Sequence, residues 1–358
     1  MRHLGLATLG VVLAVVLLSS SLVPASSGQP GRTNLEAKHP ILGMHTRLTD
    51  EVEPWKIQRT MQMVRELGAN WVVEYFPWTY IETSKGQYDW AHVDLVVDAA
   101  ASEGLTLVAR IDNVPAWARP AGTTDRFIDQ KGIVDYGDFL AAFARRYRGR
   151  VSHYIIWNEQ NTAMEWGFRP VDPEGYVALL KVAYTRIREA DPNATVLPGG
   201  LAPTLETTKD NLDDLIYLQR MYDAGAAAYF DVMNIHAYGL KSPPEDPAAP
   251  SRINFARAAL VRQVMERNGD GAKPAFISEA GWNDHPRWTK AVRPAQRIEF
   301  TVRAIQMAER DWPWLIGLSF WTFRLPFPAR NYNDQYTFVD AEFRTKPVYD
   351  ALQDWANR

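Results

Sequence analysis

Apolar residues along this chain fall into two alternating rhythms. Short runs rich in Val, Ile, Leu and aromatic residues begin near Ile41, Asn70, Leu105, Val151, Ala194, Phe230, Pro274 and Leu315. Between them, apolar positions recur every three or four residues over Trp55 to Leu67, Val93 to Glu103, Tyr136 to Tyr147, Tyr176 to Ala190, Asn211 to Asp223, Phe255 to Asn268 and Ala295 to Glu309, with a last such stretch from Pro347 to Trp355. The first rhythm suits strands buried on both faces, the second helices with one apolar face. Strand and helix alternating in this way predict an α/β fold in which a parallel sheet closes on itself, a single-domain (β/α)8 TIM barrel. Asp172-Pro173 and Arg293-Pro294 place proline in the first turn of two helices, where its missing N–H costs nothing. An open doubly wound sheet is the alternative. It calls for a glycine-rich phosphate loop after the first strand, and Leu42-Gly43-Met44-His45-Thr46-Arg47 is not one.

The amino-terminal residues depart from both rhythms. Arg2 and His3, an apolar stretch from Leu4 to Leu18, and small residues ahead of Ala25 make residues 1–25 a secretory signal peptide, with an uncleaved membrane anchor as the alternative. Residues 26–38, a mixture of Ser, Gly, Pro and charge, read as a flexible linker, and residues 39–358 as the barrel. The expectation is a secreted protein with no stable membrane insertion once the signal is removed. Pro243-Pro244-Glu245-Asp246-Pro247 and Leu325-Pro326-Phe327-Pro328 read as long loops after the sixth and eighth strands.

Composition narrows the partner. A net charge of −3, from 39 basic and 42 acidic residues interspersed, gives no reason to expect nucleic acid. The absence of cysteine excludes disulfides, thiolate metal sites and a cysteine nucleophile. The seven histidines show no His-Glu-x-x-His spacing and no Gly-x-Ser-x-Gly elbow is present, so no metal and no cofactor is expected. The 13 Trp, 15 Tyr and 14 Phe are more aromatic surface than such a core needs, and rings stack well on sugar faces. A carbohydrate is the expected partner.

Two strand ends carry the candidate chemistry. Tyr154-Ile155-Ile156-Trp157-Asn158-Glu159 ends an apolar run in an amide beside a carboxylate, and Pro274-Ala275-Phe276-Ile277-Ser278-Glu279 delivers a second carboxylate in the same way. Two such carboxylates are the minimal machinery for cleaving a glycosidic bond. Glu159 can protonate a departing oxygen and Asn158 can donate to a sugar 2-hydroxyl, provided the chain leaves regular strand geometry so that neighbours share one site. Glu279 becomes a nucleophile if it lies near Glu159; the plain alternative is a structural salt bridge with an arginine such as Arg110. On the sixth strand Asn234, His236 and Tyr238 share a face, where a phenol would keep a carboxylate ionised and an imidazole would orient one. Trp321, ending the eighth strand, is the expected sugar platform. His45, Arg110, Trp282, Trp78 and Trp117 are further candidates for substrate contact.

Trp157-Asn158-Glu159, His236-x-Tyr238, Ser278-Glu279 and Trp321 together resemble the clan A retaining glycoside hydrolases, a likeness spanning residues 40 to 357. The segment from Tyr136 to Asn161 looks most like families 39 and 5, as does the closing stretch from Asp340 to Leu352, within the wider cellulase or β-xylosidase superfamily. The resemblance implies Glu159 as acid/base, Glu279 as nucleophile, and retention at a β-type linkage. Gln160 stands where those families usually have proline. A non-catalytic carbohydrate-binding barrel and a transglycosylase using the same intermediate are the competing readings.

Overall fold

The computed structural model describes Met1 and residues 38–358. Contacts divide the chain into two units, Met1–Glu36 and Ala37–Arg358, and the barrel lies in the second. The signal peptide at 1–25 and the linker at 26–38 fall outside the described residues except for Met1 and Lys38.

Eight parallel strands form one sheet: β1 (Leu42–His45), β2 (Trp71–Pro77), β3 (Thr106–Asp112), β4 (His153–Ile156), β5 (Thr195–Pro198), β6 (Met233–Tyr238), β7 (Ala275–Gly281) and β8 (Leu315–Trp321). Their order is β5-β4-β3-β2-β1-β8-β7-β6. No ladder joins β5 to β6 among the described residues. There the ring is completed by the amides of Asp231 and Val232, which donate to the Val196 carbonyl at 2.8 and 3.4 Å, while the Asp231 carboxylate accepts from the Val196 amide at 2.8 Å. A small hollow follows this seam, lined by Pro198, Gly199, Asn234 and His236.

The helices are α1 (Pro54–Glu66), α2 (Trp78–Ile81), α3 (Ala91–Ser102), α4 (Gln130–Arg146), α5 (Pro173–Ala190), α6 (Asp214–Asp223), α7 (Ala258–Arg267), α8 (Pro294–Asp311) and α9 (Pro347–Ala356). Pro173 and Pro294 open α5 and α8 as expected. Several helices start away from their predicted ends; α7, for example, begins at Ala258 after a 3-10 turn over Phe255–Arg257. Asp129 caps α4 by accepting from the Gly132 amide, so its polar first turn precedes the apolar period. Asn211 and Leu212 form bridges to Thr162 and Thr207, and α6 begins only after the Asp213 cap. No helix among the described residues is long and apolar enough to cross a membrane.

The barrel's interior is filled by Val73, Val108, Ile155, Leu197, Val232 and Phe276, and the larger core lies between strands and helices. Strand alternation carries this inner face upward. Two residues beyond Val108 stands Arg110, and beyond Val232 come Asn234, His236 and Tyr238 in turn. An apolar floor thus gives way to a polar mouth at the carboxyl ends of the strands, the face where barrels of this kind hold their sites.

Candidate active site

Glu159 reaches the mouth because β4 stops at Ile156. Trp157 and Glu159 both take left-handed backbone conformations, with φ of 75° and 44°. That departure lets Asn158 and Glu159 serve one site, as strict alternation would not. The turn is fastened from below. The Glu159 amide donates to the Gly200 carbonyl at 2.9 Å, the Gln160 side chain to the Gly199 carbonyl at 3.0 Å, and the Asn161 side chain to the Ala202 and Leu212 carbonyls at 2.9 Å each. Gln160 is fully buried, so it stiffens the turn and does not meet a ligand. Close approach fixes Gly200 as glycine, since a Cβ there would overlap the His236 ring.

Glu279 reaches the mouth by a different irregularity. Phe276 points into the barrel, so simple alternation would aim Ser278 inward and Glu279 outward. The pairing of β7 with β6 shifts between Ile235 and His236, so that Ile277 lies opposite Ile235 but Glu279 lies opposite His236. The extra residue turns Glu279 to the inner face.

The two carboxylates and His236 offer atoms that all lie within 4.8 Å of one another. His236 Nδ1 stands 3.0 Å from Glu159 Oε1 and 3.9 Å from Glu279 Oε2. Tyr238 donates its hydroxyl to Glu279 Oε2 at 2.7 Å, and Arg110 Nη1 lies 3.0 Å from both Glu279 Oε1 and Asn158 Oδ1. Asn158 therefore spends its oxygen on Arg110 and keeps its Nδ2 donors for another partner. The ion pair that a structural role for Glu279 would need is present, but it is one contact among several converging on this group. Arg110 is itself seated on the Tyr75 ring at 4.6 Å, with Nε 3.7 Å from Asp112 Oδ2. Asp112 in turn pairs with Arg126 at 2.9 Å, and Arg126 with Glu165 at 3.2 Å.

Burial would raise the Glu279 pKa, but His236, His45, Arg110 and the Tyr238 hydrogen bond together outweigh it and bring the carboxyl down to about 2. His45 contributes little of this at ordinary pH. Burial lowers its own pKa to about 3, so it is neutral above that, with Nδ1 2.8 Å from the Thr46 carbonyl. His236 moves the other way: burial lowers its pKa, yet the charges of Glu279 and Glu159 and the bond to Glu159 raise it overall. Burial and the Glu279 charge push the Tyr238 phenol well above its usual range, so it remains a donor. The result is an ionised, enclosed Glu279, its side chain 8% exposed, facing a Glu159 whose side chain is 27% exposed.

The remaining sequence candidates separate. Trp321 is partly exposed and meets Tyr336 edge-on at 5.4 Å, beside Tyr238. His45 is fully buried behind Glu279, with Nε2 3.6 Å from Oε1, a supporting position out of reach of a ligand. Trp78 and Trp282 are not at the mouth. Trp78 packs on Tyr136 and Phe139 with its indole donating to Glu82 at 2.6 Å, and Trp282 packs between Phe255 and Phe300 with its indole donating to the Ser242 carbonyl at 2.8 Å. Each ring turns back beneath its loop because the apolar space between strand and helix is there to be filled. Trp117 lies half-buried against Trp78, its indole donating to the Glu82 carbonyl at 2.7 Å. Sequence reasoning passed over Asp112, Arg126, Glu165, Trp288, Tyr332 and Tyr336. For Asp112 the signal was available, since it continues the inner face of β3 two residues past Arg110.

Glu159, His236 and Glu279 are close enough to grip a divalent cation. Arg110 and Tyr238 already occupy the Glu279 oxygens, so a metal would have to displace a guanidinium and break the contact between His236 and Glu159.

The model of the β-galactosidase family glycoside hydrolase 42 matches residues 49–147, which end before either carboxylate. No curated protein matches the sequence. A family 39 glycoside hydrolase from the gut symbiont Bacteroides cellulosilyticus WH2 superposes with a TM-score of 0.72 at 20% identity, over 88% of this chain and 63% of that one. The chain thus spans less than two thirds of that enzyme. A family 5, subfamily 18 enzyme from Streptomyces cattleya, solved with Manβ1-4GlcNAc, gives 0.67 at 16% identity, over 89% and 80% of the two chains. A β-galactosidase from the psychrophilic Marinomonas ef1 gives 0.59 at 14% identity, over 88% and 59%. The fold shared with these solved structures extends over nearly all of the barrel.

Proposed function

We propose that this protein is a retaining glycoside hydrolase acting on β-linked oligo- or polysaccharides, with Glu279 as nucleophile and Glu159 as acid/base. The observation that carries the reading is the pair of carboxylates with oxygens within 4.8 Å, one enclosed and one open. Retaining enzymes hold their carboxyls about 5–5.5 Å apart, whereas inverting ones leave about 6.5–9.5 Å for a water between them.

In the first step a Glu279 oxygen attacks the anomeric carbon and the glycosidic C–O bond breaks. The departing oxygen takes that electron pair together with the Glu159 proton. Arg110 and Tyr238 keep Glu279 ionised for the attack, and Asn158 Nδ2 donates to the 2-hydroxyl, an interaction that strengthens as charge develops on the ring. In the second step water enters on the exposed side, gives its proton to the Glu159 carboxylate and attacks the same carbon, releasing Glu279. Trp321 supplies the platform under the sugar. Export by the residues 1–25 signal would place the substrate outside the cell. The Manβ1-4GlcNAc bound by one structural relative and the β-galactosidase name of others put β-mannosides and β-galactosides first in a substrate panel.

The roles are tested by nucleophile rescue. Glu279→Ala should abolish turnover, and azide should restore it with an inverted glycosyl azide. Glu159→Ala should be rescued to a retained product. The reverse pattern overturns the assignment. A folded wild-type protein that binds sugars without hydrolysis overturns the hydrolase reading in favour of a binding barrel.

A further inference from the structure

Outward from the nucleophile the aromatic side chains continue as a connected series. Tyr238, the donor to Glu279, meets Tyr336 edge-on at 5.6 Å between ring centroids. Tyr336 meets Trp321 at 5.4 Å and Trp288 at 6.2 Å, again edge-on. Trp288 then lies face to face with Tyr332, at 5.0 Å and 12° between planes. Trp288 belongs to the loop after β7 and Tyr332 to the loop after β8.

Trp288 is half-buried and Tyr332 is 44% exposed, so the stacked pair keeps aromatic surface in water near the mouth. The pair is also built to stay in place. Asn283, fully buried, ties the two loops by donating to the Tyr332 carbonyl at 2.7 Å while its own carbonyl accepts from the Val292 amide at 2.8 Å. Arg297, also buried, donates to the Tyr336 and Thr337 carbonyls at 2.6 and 3.0 Å. The buried Asn283 side chain fixes the Tyr332 backbone and Arg297 the backbone of Tyr336 behind it, so the stacked pair is held in place before any ligand arrives, and preorganisation is what makes weak stacking useful. Tyr336, itself buried, links this pair to Trp321 through its two edge-on contacts. A partly exposed, stacked aromatic pair beside a sugar site suits the C–H face of another pyranose in the same chain.

Resting on the glycosidase reading above, we propose that the Trp288–Tyr332 pair is a distal subsite that takes a neutral pyranose ring of the oligosaccharide cut between Glu159 and Glu279. The substrate would then be a chain of several sugars, gripped beyond the point of cleavage.

The test compares the wild-type sequence with Trp288→Ala, Tyr332→Ala and the conservative Trp288→Phe. Calorimetry on the same chains carrying Glu279→Gln measures binding of mannohexaose, cellohexaose and xylohexaose and of the matching disaccharides. Trp288→Ala should weaken hexaose binding about tenfold, the size of one stacking contact, with Trp288→Phe restoring most of it. In the active chain, the ratio of kcat/KM for hexaose to that for the aryl glycoside should fall by a similar factor. Hexaose binding unchanged in Trp288→Ala, equal losses for hexaose and aryl glycoside, or no hexaose bound by the parent would each overturn the subsite. So would light scattering in which Trp288→Ala dissociates a dimer, because the pair would then cover a second copy. Trp288-dependent binding without hydrolysis by the wild type would keep the subsite and remove the hydrolase. Hydrolysis with Trp288-independent binding would do the opposite.

Discussion

His236 sits between the two catalytic candidates, its Nδ1 3.0 Å from Glu159 and 3.9 Å from Glu279. Its pKa is raised above the unfolded value near 6.5, the neighbouring carboxylates overcoming burial, with Arg110 as the opposing charge. A raised histidine contributes stability that is fully present below the unfolded pKa and is lost as pH rises through the folded one. The difference in melting temperature between wild type and His236→Asn should therefore be constant below about pH 6 and shrink above it, as thermal unfolding from pH 5 to 9 would show. A difference that grows with pH would contradict the charged form. Glu279 has the opposite sign. With its pKa lowered to about 2, its contribution is present above the unfolded carboxylate value and lost only as pH falls towards 2. At this scale the sequence was informative where alternation was regular: His236 and Tyr238 share a face, and both converge on the carboxylates.

At the scale of elements, two irregularities build the site, and neither is written in periodicity. The left-handed turn at Trp157 and Glu159 and the register shift in β7 each break the rule that makes strands recognisable. Glu159 and Glu279 could be picked out as strand-terminal acids, but the parity that turns Glu279 inward depends on its neighbour β6. Loop aromatics were harder still. Trp78 and Trp282 come just after strands and Trp321 at the end of one, and only the space available in three dimensions sends two indoles into the core and leaves one at the mouth. Trp288, Tyr332 and Tyr336 carry no local pattern and become neighbours because two long loops meet. The end of β5 offers a direct test of how tightly these elements fit. Gly200→Ala should push the His236 ring away from Glu159, costing about 1–3 kcal/mol of stability from overpacking. Turnover should fall further than the folded fraction does, as paired melting and kcat measurements would reveal.

For the molecule as a whole, the alternation of apolar runs with helical periods was enough to anticipate the barrel, because each strand begins as a short apolar run and the stretches between carry a helical stripe. The division between core and site follows from the same architecture. Trp78→Ala should cost about 3–5 kcal/mol, typical of an aromatic removed from a packed interior. Its kcat per folded molecule should stay near that of the parent, an outcome a substrate-contacting Trp78 would not give in denaturant titrations paired with active-site counting. Closure of the ring has a consequence of its own. Where seven neighbouring strand pairs are laddered, β5 and β6 meet through a few bonds at Val196. Were heat to part them there, the barrel would become an open sheet with β5 and β6 as bare edges, each presenting unpaired amides and carbonyls to another molecule. Pro198, with no amide hydrogen, blunts one of those edges at its carboxyl end; β6, without any proline, is the edge along which heated molecules would join.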